Sequence, residues 1–107
     1  MASKYFNKKV TVDNITFDSK KESERYLHLK ALEKQGNILD LELQPKFEFR
    51  MNNKKIFVYK ADFQYTDHAG NTIIEDVKSA YTAKNPLFRL KKKLIEAYHS
   101  INIKEVL

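Results

Sequence analysis

Two runs of the chain, Tyr59-Lys60-Ala61-Asp62-Phe63-Gln64-Tyr65 and Ile73-Ile74-Glu75-Asp76-Val77-Lys78, are joined through Asp67-His68-Ala69-Gly70-Asn71. The runs are rich in aromatic and β-branched residues and the connection in turn formers, which predicts two strands paired antiparallel. Side chains alternate across a strand, so Asp76 and Lys78 share one face. Asp62, in the middle of the neighbouring strand, reaches that face in the right register. Two carboxylates and a lysine then converge on one patch of sheet. Asp is depleted in strands, and an unpaired buried charge is costly, so the cluster asks for a reason. One reason is a set of cross-strand salt bridges among Asp62, Glu75, Asp76 and Lys78 on a solvated face, where ion pairs are common and nearly neutral in energy. The other is phosphodiester hydrolysis. Carboxylates hold Mg²⁺ through hard oxygens, the metal polarises a phosphate and acidifies a bound water, and a lysine positions that water or offsets developing charge.

The flanking sequence sets these strands in an α/β order. Val10-Thr11-Val12 and Ile15-Thr16-Phe17 around Asp13-Asn14 predict a hairpin. Asp18 and Ser19 open a first helix, in which Ser19 and Glu22 match a capping box and Tyr26, Leu29 and Leu32 recur at helical spacing. Gly36 ends it as a left-handed cap. A strand region runs from Ile38 to Leu43, is interrupted at Gln44-Pro45, and continues from Lys46 to Arg50. Met51-Asn52-Asn53-Lys54 is a turn, and Ile56 to Tyr65 reads as one strand. After Thr72 to Lys78 come a loop at 79–85, a second helix from Pro86 to about His99, and a strand from Ile101 to Val106. The order is helix, three strands in a meander, helix, strand: a mixed central β-sheet flanked by two helices. A chain of 107 residues makes one domain, 1–107, with a basic N-terminal arm and hairpin over 1–17.

Glu22 extends the cluster. On a helical wheel it falls with Tyr26 and Leu29 on the apolar stripe, while Glu24 points away. A carboxylate there caps the helix or meets a charge partner at the sheet edge, and the two roles are compatible.

The run Ala61-Asp62, followed 14 residues on by Asp76-Val77-Lys78, resembles the signature of the PD-(D/E)xK nuclease superfamily, with Ala61 in the place of the usual proline. Asp18-Ser19-Lys20-Lys21-Glu22 resembles the first-helix motif of many members, and the element order is similar to that superfamily's core. Four segments resemble a family of short phage endonucleases or Holliday junction resolvases: Phe17 to Leu29, Leu41 to Phe47, Ala61 to Tyr65 and Glu75 to Lys78. The resemblance implies a restriction-endonuclease-like core and an endodeoxyribonuclease that uses Mg²⁺ or Mn²⁺. Glu22, Asp62, Asp76 and Lys78 would then be catalytic, the three carboxylates on the metal and Lys78 on the water. It also implies DNA as partner, branched DNA such as a four-way junction included, and a two-fold homodimer to cut both strands. The alternative is a non-catalytic DNA-binding module that keeps the fold. Spacing to Lys78 favours Asp76 over Glu75 as the metal-facing carboxylate.

The charge balance fits a polyanionic partner. Twenty Lys and Arg oppose fourteen Asp and Glu, a net +6. The second helix offers Lys84, Arg89, Lys91, Lys92 and Lys93 at or near it. Leu87, Leu90, Leu94 and Tyr98 are its predicted buried stripe, with Arg89, Lys92 and Lys93 facing away as a phosphate-tracking surface or a solvated face and Lys91 at the stripe's edge. Lys4, Lys8 and Lys9 form a second basic cluster on the N-terminal arm. Gln44 orients a metal-bound water or a phosphate, or makes a structural hydrogen bond at the strand break. His28, His68 and His99 lack metal spacing. The chain has no cysteine, which removes disulfides and thiolate metal sites. Nothing in Met1 to Phe6 reads as a signal peptide, and no stretch approaches the ~20 apolar residues of a membrane span. The expectation is a protein with no membrane partner, in the cytoplasm of a bacterial host cell if phage-encoded.

Overall fold

The computed structural model describes residues 8–107, which form eight strands and three helices. In chain order these are β1 (Val10–Val12), β2 (Ile15–Phe17), α1 (Lys20–Lys34), β3 (Leu39–Leu43), β4 (Lys46–Met51), β5 (Lys54–Lys60), β6 (Phe63–Thr66), β7 (Thr72–Val77), α2 (Ala80–Ala83), α3 (Pro86–His99) and β8 (Ile103–Val106). Lys4 of the predicted basic arm lies outside the described residues.

Local signals set most boundaries. Asp13 and Asn14 both take positive φ, 53° and 62°, as a two-residue hairpin turn requires, and β1 pairs with β2 around them. Ser19 Oγ accepts the Glu22 backbone N–H at 3.0 Å and starts α1. Gly36, at φ 78°, ends it: its N–H donates to Glu33 O at 3.0 Å and the Asn37 N–H to Leu32 O at 2.9 Å. That bond pair is a Schellman motif. Pro86 opens α3 behind Asn85, whose side chain accepts from Leu87 and Phe88 N–H groups.

The central sheet is mixed, with strand order β3-β6-β7-β8. β3, β6 and β7 are the predicted antiparallel meander, and β8 returns parallel to β7. A parallel return needs a crossover, which α3 supplies. Two cores cover the two faces. Phe17, Tyr26, Leu29, Ile38, Phe63 and Tyr65 pack on the α1 side; Phe49, Tyr59, Ala61, Ile74, Ile95 and Ile103 pack on the α3 side.

The structure corrects three expectations. The interruption expected at Gln44-Pro45 is present, but Ile56 to Tyr65 is not one strand: it breaks at Ala61-Asp62, so β4 and β5 leave the sheet as a separate two-stranded ribbon. Tyr59 and Ala61 pack toward α3, whereas Phe63 and Tyr65 pack toward α1. An unbroken strand would hold all four on one face. The predicted loop at 79–85 contains α2, held by a reciprocal Ser79–Thr82 capping box. On α3 the inward line runs through Phe88 and the fully buried Ile95, while Leu87, Leu90 and Tyr98 are 59%, 54% and 48% exposed. Leu94 of the predicted stripe does pack on this core, and Tyr98 meets Phe49 of the ribbon at 5.2 Å, so Leu87 and Leu90 are the positions the core leaves out.

Neighbouring carboxylates on β7 point to opposite faces. Glu75 faces α1, where Arg25 clamps it with Nε to Oε1 at 2.8 Å and Nη2 to Oε2 at 2.6 Å, and the Tyr65 hydroxyl donates to Oε2. Burial favours the neutral acid, yet Arg25 and Tyr65 outweigh it and hold Glu75 below the usual carboxylate range. This pair ties helix to sheet through a glutamate side chain that is 0% exposed. Arg25→Met should therefore cost roughly 3–5 kcal/mol, because it strands a buried charge. Adding Glu75→Gln should recover part of the loss. Urea midpoints of the three proteins decide it, and a single-variant loss under about 1 kcal/mol would mean that the clamp is dispensable.

Candidate active site

The break at Ala61-Asp62 builds the site. Where β6 begins, the Asp62 N–H donates to Glu75 O at 3.0 Å, and its carboxylate Oδ2 accepts the Val77 N–H at 2.7 Å. The side chain thus takes a ladder position that a backbone carbonyl would fill, and this pins it beside the end of β7. Phe63 pairs with Glu75, so Asp62 falls opposite Asp76. Asp76 is 2% exposed. It accepts a hydrogen bond from the Tyr59 hydroxyl at Oδ2 and an ion pair from Lys78 Nζ at Oδ1, 3.3 Å away. The Lys78 amine also lies 4.7 Å from the centroid of the Phe88 ring.

Glu22 arrives from the first turn of α1 and is 6% exposed. Its backbone serves the Ser19 cap, while its carboxyl turns toward Asp62 and the Asp18 N–H. Burial and the negative charge of Asp18 push it up, against hydrogen bonds from Asp62 and the Asp18 backbone, and Asp76 adds to the push from farther off. Asp62 is thus influenced by both of the other carboxyls, Asp76 and Glu22. Among the described residues no three His, Cys, Asp or Glu side chains already close around a metal position. Asp62 takes most of the strain. Burial, opposed by the Val77 hydrogen bond and reinforced by Asp76 and Glu22, pushes its carboxyl up to about 8.

Glu22, Asp62 and Lys78 line a cleft of about 230 Å³ between the start of α1, the end of β7 and the start of α2, together with Asp18, Lys21 and Ser79, while the buried Asp76 is not part of its lining. Lys21 Nζ donates to Lys78 O at 3.3 Å across it. A larger hollow of about 460 Å³ sits at the opposite end of β7, against Ser100 to Lys104, and no carboxylate lines it. The predicted carboxylates and Lys78 thus gather at the smaller cleft.

Glu22, Asp62, Asp76 and Lys78, predicted from sequence as one constellation, do come together. The predicted basic residues divide. Arg89 and Lys92 both donate to Glu105 Oε2 of β8 at 2.6 Å, so these two cations dock α3 on the sheet edge and are already paired. Lys91 lies over the Phe57 ring at 5.5 Å. Lys84 and Lys93 are exposed, as are Lys8 and Lys9, the latter paired with Asp18 at 3.1 Å. Gln44 sits at positive φ, 53°, and its N–H donates to Asp62 O at 2.9 Å, a structural role at the strand break. Tyr59 was missed as a site residue. Its side chain alternates inward two residues before Ala61, and that spacing was its only sequence signal.

A family model described as "Protein of unknown function (DUF1064)" matches residues 2–106. No curated protein and no solved structure matches the chain. Among the described residues no helix is long and apolar enough to cross a membrane.

The Asp62 carboxyl makes the site pH-sensitive with a defined sign. Its folded-state pKa, about 8, lies above the ordinary 3.8, so the stability it contributes is complete below about pH 3.8 and is lost as pH rises through about 8. Glu22, also raised, acts in the same sense. Glu33, Glu75 and Glu105 are lowered from 4.5, so their contributions are lost only in more acid solution. The protein kept in chelator should therefore lose stability between pH 5.5 and pH 8, and Asp62→Asn should flatten the loss. Urea midpoints at the two pH values measure it; an equal slope in wild type and variant would show that Asp62 ionises freely.

Proposed function

The chain belongs to this family of proteins of unknown function, and we propose that it is a metal-dependent endonuclease that hydrolyses DNA phosphodiester bonds. One observation carries the reading: Asp62 and Asp76 meet at the broken end of the sheet with the Lys78 amine 3.3 Å from Asp76. The sequence α1, β3, β6, β7, α3, β8, with β8 parallel to β7, supports a restriction-endonuclease-like core of the PD-(D/E)xK kind.

The donor set suits Mg²⁺ or Mn²⁺. Asp62 and Asp76 offer hard carboxylate oxygens, and Glu22 joins through Asp62, directly or through water. Burial, reinforced by the neighbouring acids, pushes Asp62 up to about 8, and a divalent cation displaces the proton held there. When bound, the metal supplies Lewis-acid polarisation of the phosphate and a more acidic water.

The chain's own groups do the rest. Asp76 is held in one orientation by Tyr59 and Lys78. Lys78 presents a cation at the cleft, where it orients the attacking water and offsets charge gathering on the phosphate oxygens. The water oxygen bonds to phosphorus, the bond to one ester oxygen breaks, and that oxygen leaves with a proton. Branched DNA and a two-fold dimer are the resolvase form of this reading.

Asp76→Asn should reduce single-turnover cleavage by orders of magnitude while leaving DNA binding, measured in Ca²⁺, equal or tighter, because a negative charge beside the phosphate is gone. Lys78→Ala should also abolish cleavage but leave Mn²⁺ binding largely intact, since the amine is not a ligand. Linear, flapped and four-way DNA should be compared in Mg²⁺ and Mn²⁺. Variants that cut as fast as wild type would place the active site elsewhere. A wild type that binds DNA but cuts none of these substrates would favour the non-catalytic module.

A further inference from the structure

The β4–β5 ribbon carries cations where a purely structural hairpin would avoid them. Lys46 stands directly opposite Lys60, and Arg50 directly opposite Lys55. Like charges in facing positions destabilise a ladder, and a two-stranded ribbon has little stability to spare. Lys54 adds a further cation beside the tip. All five side chains are exposed, and Glu48, which pairs with Arg50 at 3.3 Å, is the one acid on the ribbon.

The other face of the ribbon explains how this arrangement survives. Phe49 stacks on Phe57 at 5.2 Å and meets Tyr98 at 5.2 Å, and His99 Nε2 donates to Glu48 O at 2.7 Å. The inner face is thereby fastened to α3 and the outer face is left to solvent. Lysines on free edges also discourage edge-to-edge pairing. That role needs charge on either strand, and it does not need two cations set opposite each other at both ends of the ribbon.

Facing cations are relieved by an anion that contacts both. We propose that the outer face of the β4–β5 ribbon, through Lys46, Arg50, Lys55 and Lys60 around the exposed Ile56 and Val58, with Lys54 at the edge of the tip, is a docking surface for the phosphate backbone of duplex DNA. Lys54 to Lys60 extends roughly 20 Å at ~3.4 Å per residue, which spans about six phosphates along one strand. The turn at Asn52 and Asn53, both at positive φ (51° and 65°), narrows the tip to two residues, and a two-stranded ribbon is thin enough to enter a major groove. Lys60 is two residues from Asp62 along the chain, so this surface begins next to the cleft. The proposal deepens the nuclease reading and rests on DNA being the substrate.

The test uses the full chain, a duplex DNA probe and Ca²⁺ in place of the catalytic metal, with affinity measured against salt. The triple variant Arg50→Ala/Lys54→Ala/Lys55→Ala should lower the slope of log affinity against log salt by about 2 to 3, at roughly 0.9 for each lost phosphate contact. Lys46→Gln/Lys60→Gln should weaken binding as well, while its unfolding midpoint stays level or rises, because a facing pair of like charges has been removed. A merely structural pair would lower stability and leave the salt slope alone. Slopes equal to wild type in both variants overturn the proposal. So does a result in which the variants lose binding to phosphatidylserine vesicles and keep it to DNA. Cleavage is read separately: a wild type that never cuts DNA sinks the nuclease reading alone, and unchanged slopes beside normal cleavage sink the ribbon alone.

Discussion

Two adjacent carboxylates, Glu75 and Asp76, are buried in the middle of one strand, and a strand allows them only opposite destinations. Each must find compensation on its own face, because an unpaired buried charge costs several kcal/mol. Glu75 finds it in Arg25 and Tyr65, which locks α1 to the sheet. Asp76 finds it in Tyr59 and Lys78. The first pairing is closed: a bidentate guanidinium and a phenol use up the carboxylate. The second is open, because Asp62 crowds the same point with a carboxyl that burial keeps from ionising at its ordinary pH. The same strand therefore carries a closed charge pair on one face and an open, crowded one on the other.

The break in the long hairpin is the other half of this arrangement. Hydrogen bonds run on through it: the Gln44 N–H donates to Asp62 O and the Ala61 N–H to Pro45 O. Pro45 has no N–H to offer, and at this position only its carbonyl is used. The bend rotates the strand, so that Tyr59 and Ala61 serve the α3 core and Phe63 and Tyr65 serve the α1 core. It also frees the Asp62 side chain to accept the Val77 N–H. A straight strand would build a wider sheet but would leave Asp62 without this anchor.

Much of this was legible in the sequence because it depends on period-2 alternation and on local turn chemistry. The Ser19 cap, the Gly36 terminus and the Asp13-Asn14 turn follow from neighbours a few residues apart, and the placing of Asp62 opposite Asp76 follows from the short turn that joins their strands. The failures share a different cause. Whether Ile56 to Tyr65 is one strand or two depends on what its faces pack against, and that is a tertiary fact. The orientation of α3 was misread because Leu87 and Leu90 compete with Phe88 and Ile95, and side-chain type alone does not say which of these the sheet will cover. The short α2 was hidden in a segment whose capping pair, Ser79 and Thr82, lacks the glutamate that marks the usual box.

The distribution of charge completes the physical picture. A net charge of +6 draws attention first to the lysine run on α3, yet the fold spends Arg89 and Lys92 on Glu105, whose carboxylate they hold below its ordinary range. Arg25 is likewise spent on Glu75. Once these internal pairs are set aside, five exposed cations, Lys46, Arg50, Lys54, Lys55 and Lys60, stand on the ribbon that leaves the sheet at the same break that creates the acidic cleft. A cluster of carboxylates repels a phosphate backbone unless cations nearby reverse the local potential, and screening confines that help to charges within about 10 Å at ordinary salt. Lys46 and Lys60, the facing pair at the end of the ribbon next to Asp62, are near enough to meet this requirement in a way that cations already neutralised by Glu105 do not. The bend at Pro45 and Asp62 thus sets negative charge at its vertex and positive charge along the arm that leaves it, and a single distortion of one hairpin gives the site both its acids and a counterweight to them.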